Sequence, residues 1–225
     1  LAIVASVIVG ILLNRLAIEP ARGASVVTLI IITIGASIFL RGLAQVVFDK
    51  QFHRFPSFSG DAPVNVLGAT ILPQSLWVLA GAVVIVGLLW QFFDRTLTGK
   101  AIAATAANRL AAQLAGINTN RMMMLSFGLS AAIGAVAGIL VTPITFTNYD
   151  VGTLLALKGF SSAMLGGMGN PIGAVVGGLL VGIMEQFGAG YISSKYKDAI
   201  AFIIILLTLF VMPNGLFGRS RVERV

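Results

Sequence analysis

Two ionisable side chains, Lys158 and Glu185, stand almost alone in long apolar stretches of this sequence. A charge in such surroundings is costly unless it pairs or reaches water. The two residues are therefore candidates for a structural ion pair, or for a place on a polar path. Other chemistry is thinly provided. The absence of cysteine removes thiolate catalysis, disulfides and Cys-ligated metal. The single histidine, His53, lies in a polar loop, and one imidazole is a poor metal site, so it reads as an ordinary loop residue. No nucleophile stands with a base or a metal cluster, which argues against an enzyme. The run Gly166-Gly167-Met168-Gly169 superficially resembles a phosphate loop but lacks the Gly-Lys-Ser/Thr ending. Any nucleotide hydrolysis would belong to another polypeptide, and no cofactor or metal is expected.

The elements that must position these residues follow from composition. With 57% hydrophobic and 10% charged residues and a mean hydropathy of +0.98, a water-facing exterior cannot be built. The lipid bilayer is the expected solvent. The net charge of +7 does not indicate nucleic acid, because the bases are scattered singly between apolar runs. Apolar stretches of near-membrane length run over 1–18, 24–48, 71–92, 122–142, 153–168, 171–188 and 198–213. An all-α polytopic transmembrane bundle is predicted, read as one domain over 1–225. The first residue, Leu1, lies inside an apolar run with no initiator Met, so truncation at the N-terminus is expected. Assigning alternate loops to opposite sides puts nine Lys/Arg on one face against six on the other. That bias places 93–121 and the C-terminus in the cytoplasm and the 49–70 loop outside.

Between two apolar runs, 98–121 is too polar to span and too Ala-rich to be unstructured. A single helix from about 101 to 115 is expected. At about 100° per residue, Thr105, Asn108, Arg109 and Gln113 share one side, and Leu110 and Leu114 lie opposite. Such a helix either lies on the leaflet surface or docks onto a cytoplasmic partner. Gly134 with Gly138, Gly173 with Gly177, and Gly178 with Gly182 form Gly-x-x-x-Gly pairs that let helix backbones approach in lipid. Asn170 and Pro171 read as the N-cap and first residue of a helix. The 153–188 region is thus a tight Gly-rich hairpin whose arms, about 15–18 residues each, either cross the bilayer or re-enter it. In that hairpin Lys158 and Glu185 differ in depth by roughly 6 Å and can pair.

The strings Ala115-Gly116-Ile117-Asn118, Leu157-Lys158-Gly159-Phe160, Leu165-Gly166-Gly167-Met168-Gly169, Tyr196-Lys197-Asp198 and Met212-Pro213-Asn214-Gly215-Leu216-Phe217-Gly218 resemble the permeases of bacterial high-affinity branched-chain amino acid import, in particular the shorter, LivH-type subunit. The resemblance implies an inner-membrane heterodimer of two related permeases, two cytoplasmic ATP-binding subunits and an extracytoplasmic binding protein that delivers leucine, isoleucine or valine. Relatives of this type also import urea, short amides and other amino acids. Importer permeases carry a Glu-Ala-Ala-x-x-x-Gly-like coupling motif, whose spacing Ala111, Ala112 and Gly116 match, with Leu110 in place of Glu. The resemblance thus implies that Asn108, Arg109 and Gln113 face an ATPase groove. A secondary transporter is the alternative class. It would normally carry midplane carboxylates and broken helices in repeated positions, and only Glu185 stands in such surroundings, with no clear inverted repeat.

Overall fold

The computed structural model describes every residue except 22, 61, 67, 68, 168, 192, 194–196, 213, 214 and 219–225. Met168, Lys195, Tyr196, Pro213, Asn214 and the C-terminal arginines that entered the topology reading lie outside the described residues. The chain divides into two compact units, Leu1–Tyr149 and Asp150–Val225.

The first unit holds α1 (Ala2–Leu13), extended by a π-helical turn Asn14–Ile18, then α2 (Val26–Phe48), α3 (Pro73–Arg95), α4 (Leu97–Ala107), α5 (Arg109–Leu114) and α6 (Thr119–Thr145). α2, α3 and α6 are each long and apolar enough to cross a membrane. Helix is the form these runs must take, because lipid offers no partner for a free peptide group. Hydroxyls inside the runs bond back to their own helix, as Ser126 Oγ does to the Met122 carbonyl at 2.9 Å and Thr142 Oγ1 to that of Gly138 at 2.7 Å. Arg41 lies within α2 and not in a loop, so its weight in the topology reading falls.

α1 and α6 come into backbone contact. A Cβ on Gly10 would stand 2.8 Å from Ala131 Cβ and 2.9 Å from the Phe127 carbonyl oxygen, and Gly128 faces Val7 and Ile11. No Gly-x-x-x-Gly spacing announces this crossing. Gly134 and Gly138, which have that spacing, meet no atom within 4 Å where a Cβ would stand.

The 49–70 region is more ordered than a plain polar loop. His53 and Thr147 exchange backbone hydrogen bonds of 2.8 and 3.0 Å, and His53 Nε2 lies 3.0 Å from the Phe48 carbonyl. A short antiparallel pair, β1 (Val64–Val66) and β2 (Ala69–Ile71), follows in the register Val64↔Ile71. Gln74, only 3% exposed, ties this region down. Its Nε2 donates to the Leu140 carbonyl at 2.8 Å and its Oε1 accepts from the Phe58 amide at 3.2 Å. That anchor lies one turn before Pro143, where α6 loses a helical donor.

The second unit holds α7 (Val151–Gly166), α8 (Pro171–Tyr191) and α9 (Lys197–Val211). Asn170 caps α8, its Oδ1 accepting from the amides of Ile172 and Gly173 at 3.1 Å each. α8 runs 21 residues, longer than the expected arm, and its apolar stretch is long enough to cross a membrane. α7 has 16 residues. Every fourth residue of α8, namely Gly173, Gly177, Val181 and Glu185, is buried. This row faces α7: Gly173 abuts Gly166, and Gly177 abuts the Ser162 carbonyl and the Gly166 amide.

Candidate functional site

Two places in the chain carry the sequence-predicted residues: the α4–α5 segment in the first unit, and the hairpin in the second.

α4 springs from α3 through a tight corner. Thr96 Oγ1 donates to the Phe92 carbonyl at 2.6 Å and accepts the Gly99 amide at 3.0 Å, so it ends one helix and caps the next. Gly99 is buried against the Phe92 carbonyl, and a Cβ there would stand 2.8 Å from Phe93 Cα. Sequence reading missed both residues, although Thr-x-x-Gly after an apolar run is a cap signal.

The single helix expected over 101–115 is broken in the structure. At Asn108 the backbone is extended (φ −154°, ψ 106°), and its Oδ1 accepts the Ala111 amide at 3.0 Å to start α5. The physical reason is the side chain: Asn competes with the helix for backbone donors and favours the cap over the interior. α5 then closes on Gly116. The Gly116 amide bonds to the Gln113 carbonyl at 2.9 Å and the Ile117 amide to that of Ala112 at 3.0 Å. This paired pattern with φ +81° at Gly116 is a Schellman ending, which favours glycine. The Ala-Ala-x-x-x-Gly spacing therefore has a local cause. Ala112 is the helix's buried face and Gly116 its left-handed stop. Asn118 starts α6, accepting the Arg121 amide at 3.2 Å.

The polar residues of the segment are turned largely to its own fold. Gln113 Nε2 donates to Thr119 Oγ1 at 3.0 Å, and Arg109 reaches Asn120 Oδ1 at 3.4 Å. Thr119 is 2% exposed and Ala112 3%, so this side is anchored. Asn108 and Gln113 remain exposed, and apolar residues stand outward beside them. Leu110 is 72% exposed and Leu114 91%.

In the second unit the structure brings Lys158 and Glu185 together. Lys158 Nζ lies 3.1 Å from Glu185 Oε1 and 3.2 Å from Oε2. The Oε2 contact has hydrogen-bond geometry, and the Oε1 contact is an ion-pair approach alone. The two side chains are 27% and 8% exposed. Their place in the hairpin is a consequence of its shape. Near the turn the arms touch backbone to backbone at Gly166, Gly173 and Gly177, and farther along Lys158 and Glu185 reach across between them. The Gly167 region is clasped by the end of the unit: Leu216 donates to the Leu165 carbonyl at 2.8 Å and Phe217 to that of Gly166 at 3.1 Å. Gly215, at φ +73°, stands where a Cβ would lie 2.6 Å from Gly167 Cα. The described part of the Met212 to Gly218 string is thus a backbone clasp on the hairpin turn. Gly178 makes only ordinary contact with Ser162, while Gly169 and Gly182 meet no atom within 4 Å.

Residues 1–209 match the protein-family model described as the branched-chain amino acid transport system permease component. The chain is 33% identical to the high-affinity branched-chain amino acid transport system permease protein LivH of Escherichia coli (strain K12), over 100% of this chain and 74% of that protein. It is 34% identical to the corresponding protein BraD of Pseudomonas aeruginosa, over 100% of this chain and 76% of the relative. The ribose import permease protein RbsC of Haemophilus influenzae is more distant, at 26% identity over 83% of this chain and 60% of RbsC. No solved structure matches. With apolar crossing helices in both units and a likeness that runs through both, this chain belongs to the branched-chain amino acid permease family of transport-system membrane components.

Proposed function

We propose that the chain is the membrane-spanning permease subunit of an ATP-driven importer of branched-chain amino acids. The full-length likeness to LivH and BraD carries this reading. In it the two units form one permease domain, a second related permease supplies the other half of the path, two cytoplasmic subunits hydrolyse ATP, and an extracytoplasmic binding protein delivers leucine, isoleucine or valine. The chain itself hydrolyses nothing.

The segment from Leu97 to Asn118 is then the coupling element, on the cytoplasmic side. Its anchored face, through Ala112 and the Gln113–Thr119 bond, suits a rigid part that transmits motion to α6. Its exposed Leu110 and Leu114 suit insertion into an apolar groove of an ATP-binding subunit, beside the exposed Asn108 and Gln113. Burying two leucines contributes roughly 1.5–3 kcal/mol each. Leu110→Asp with Leu114→Asp should therefore weaken co-purification of the ATP-binding subunit by roughly 100-fold or more while leaving permease abundance unchanged. Loss of membrane abundance with subunit binding retained would instead mean that α5 lies on the leaflet and is not the docking element.

A further inference from the structure

α3 and α6 are pinned together on one half of their length and part on the other. The pins are Gln74, bonded to the Leu140 carbonyl at 2.8 Å, and Gly81, on whose Cα the Leu140 side chain rests. Beyond them a wedge of about 510 Å³ opens from Ile85 on α3 and Val136 on α6 to the corner at Thr96. Its walls are apolar except for Gln91, and Arg95 and Thr96 stand at the end farthest from Ile85.

The geometry points to an anionic phospholipid as the occupant, one acyl chain in the wedge and its phosphate at Arg95. Depth selects the ligand class. From Ile85 to Arg95 the wedge is roughly 15 Å long at 1.5 Å per residue. That is one leaflet of a hydrocarbon core about 30 Å thick. A partner helix would need a face running the whole thickness, and the Gly81 contact closes the wedge at half of it. Polarity selects the headgroup, since the apolar walls end in a guanidinium at the level of the membrane surface. The neighbouring carboxylate, Asp94 Oδ2 at 3.4 Å from Arg95 Nε, does not hold the cation strongly. Both side chains are exposed, at 72% and 57%, and such surface pairs are weak. The volume lies within the range of sites that hold small ligands.

A lipid so placed abuts Thr96, the cap of α4, and would stiffen the corner from which the proposed coupling segment springs. The binding itself does not depend on that reading, because it requires neither ATP nor substrate. The experiment is native mass spectrometry of the purified full chain titrated with dioleoylphosphatidylglycerol or dioleoylphosphatidylcholine. The wild type should bind the anionic lipid more tightly, by about five-fold for one base near the membrane surface. Arg95→Gln should abolish that preference and leave phosphatidylcholine binding unchanged. Ala132→Phe, which fills the wedge from α6, should reduce both. Equal affinity of the wild type for the two lipids, or a preference that survives Arg95→Gln, would overturn the assignment. Either result would leave the transport reading intact.

Discussion

Lys158→Met alone is expected to cost the protein roughly 3–5 kcal/mol, the usual loss when one partner of a buried ion pair is removed. The stranded Glu185 carboxylate belongs to a side chain only 8% exposed, on the buried row of α8. Glu185→Gln should do less harm, because Lys158 is 27% exposed and its long stem can carry the ammonium toward a wetter region. The double variant Lys158→Met with Glu185→Gln should recover much of the single losses, since no uncompensated charge remains. A double-mutant cycle on the amount of folded, membrane-inserted protein reads the coupling directly. Simple addition of the two losses would mean that the 3.1 Å contact carries no energy. Recovery of abundance with uptake still absent would move the pair from scaffold to transport path.

A second large effect is expected at Gly177. Its Cα rests on the Ser162 carbonyl, and a Cβ would stand 2.8 Å from the Gly166 amide nitrogen. Both neighbours are backbone and neither can swing aside. Gly177→Leu should therefore force α7 and α8 apart, break the contact at Gly173 and separate Lys158 from Glu185. Overpacking typically costs 1–3 kcal/mol, and the lost pair adds to it, so little folded protein should remain. Gly182→Leu, five residues along the same helix where a Cβ meets nothing within 4 Å, is the control and should fold normally. Equal abundance of the two variants, measured by size-exclusion of detergent-extracted protein, would contradict the packing described for the hairpin.

The helices were legible in the sequence because apolar length alone fixes them in lipid. The runs 24–48 and 71–92 differ from α2 and α3 by no more than three residues at any end. What composition could not convey is which face meets which. The α1–α6 crossing rests on Gly10 and Gly128, two glycines far apart in sequence whose pairing exists only once the helices cross. Gln74 reads as one polar residue in the first turn of an apolar helix, and only the fold shows its two bonds to distant backbone. The β1–β2 pair is three residues per strand, too short for any periodicity to register. At Asn108 the local signal is present but outweighed by the surrounding alanines, whose propensity alone would carry the helix through a residue that caps. With that break, Arg109 bonds to Asn120 and Gln113 to Thr119, and Leu110 and Leu114 stand exposed.

Import driven by ATP through partner subunits can be measured by reconstituting this chain in proteoliposomes. The second permease, the two ATP-binding subunits and the binding protein would be included, and uptake of radiolabelled leucine, isoleucine and valine followed. Uptake is expected to require ATP on the side of the ATP-binding subunits and binding protein on the other, and to persist when ion gradients are collapsed by ionophores. Uptake by this chain without the ATP-binding subunits, or uptake that follows an ion gradient and ignores ATP, would contradict it.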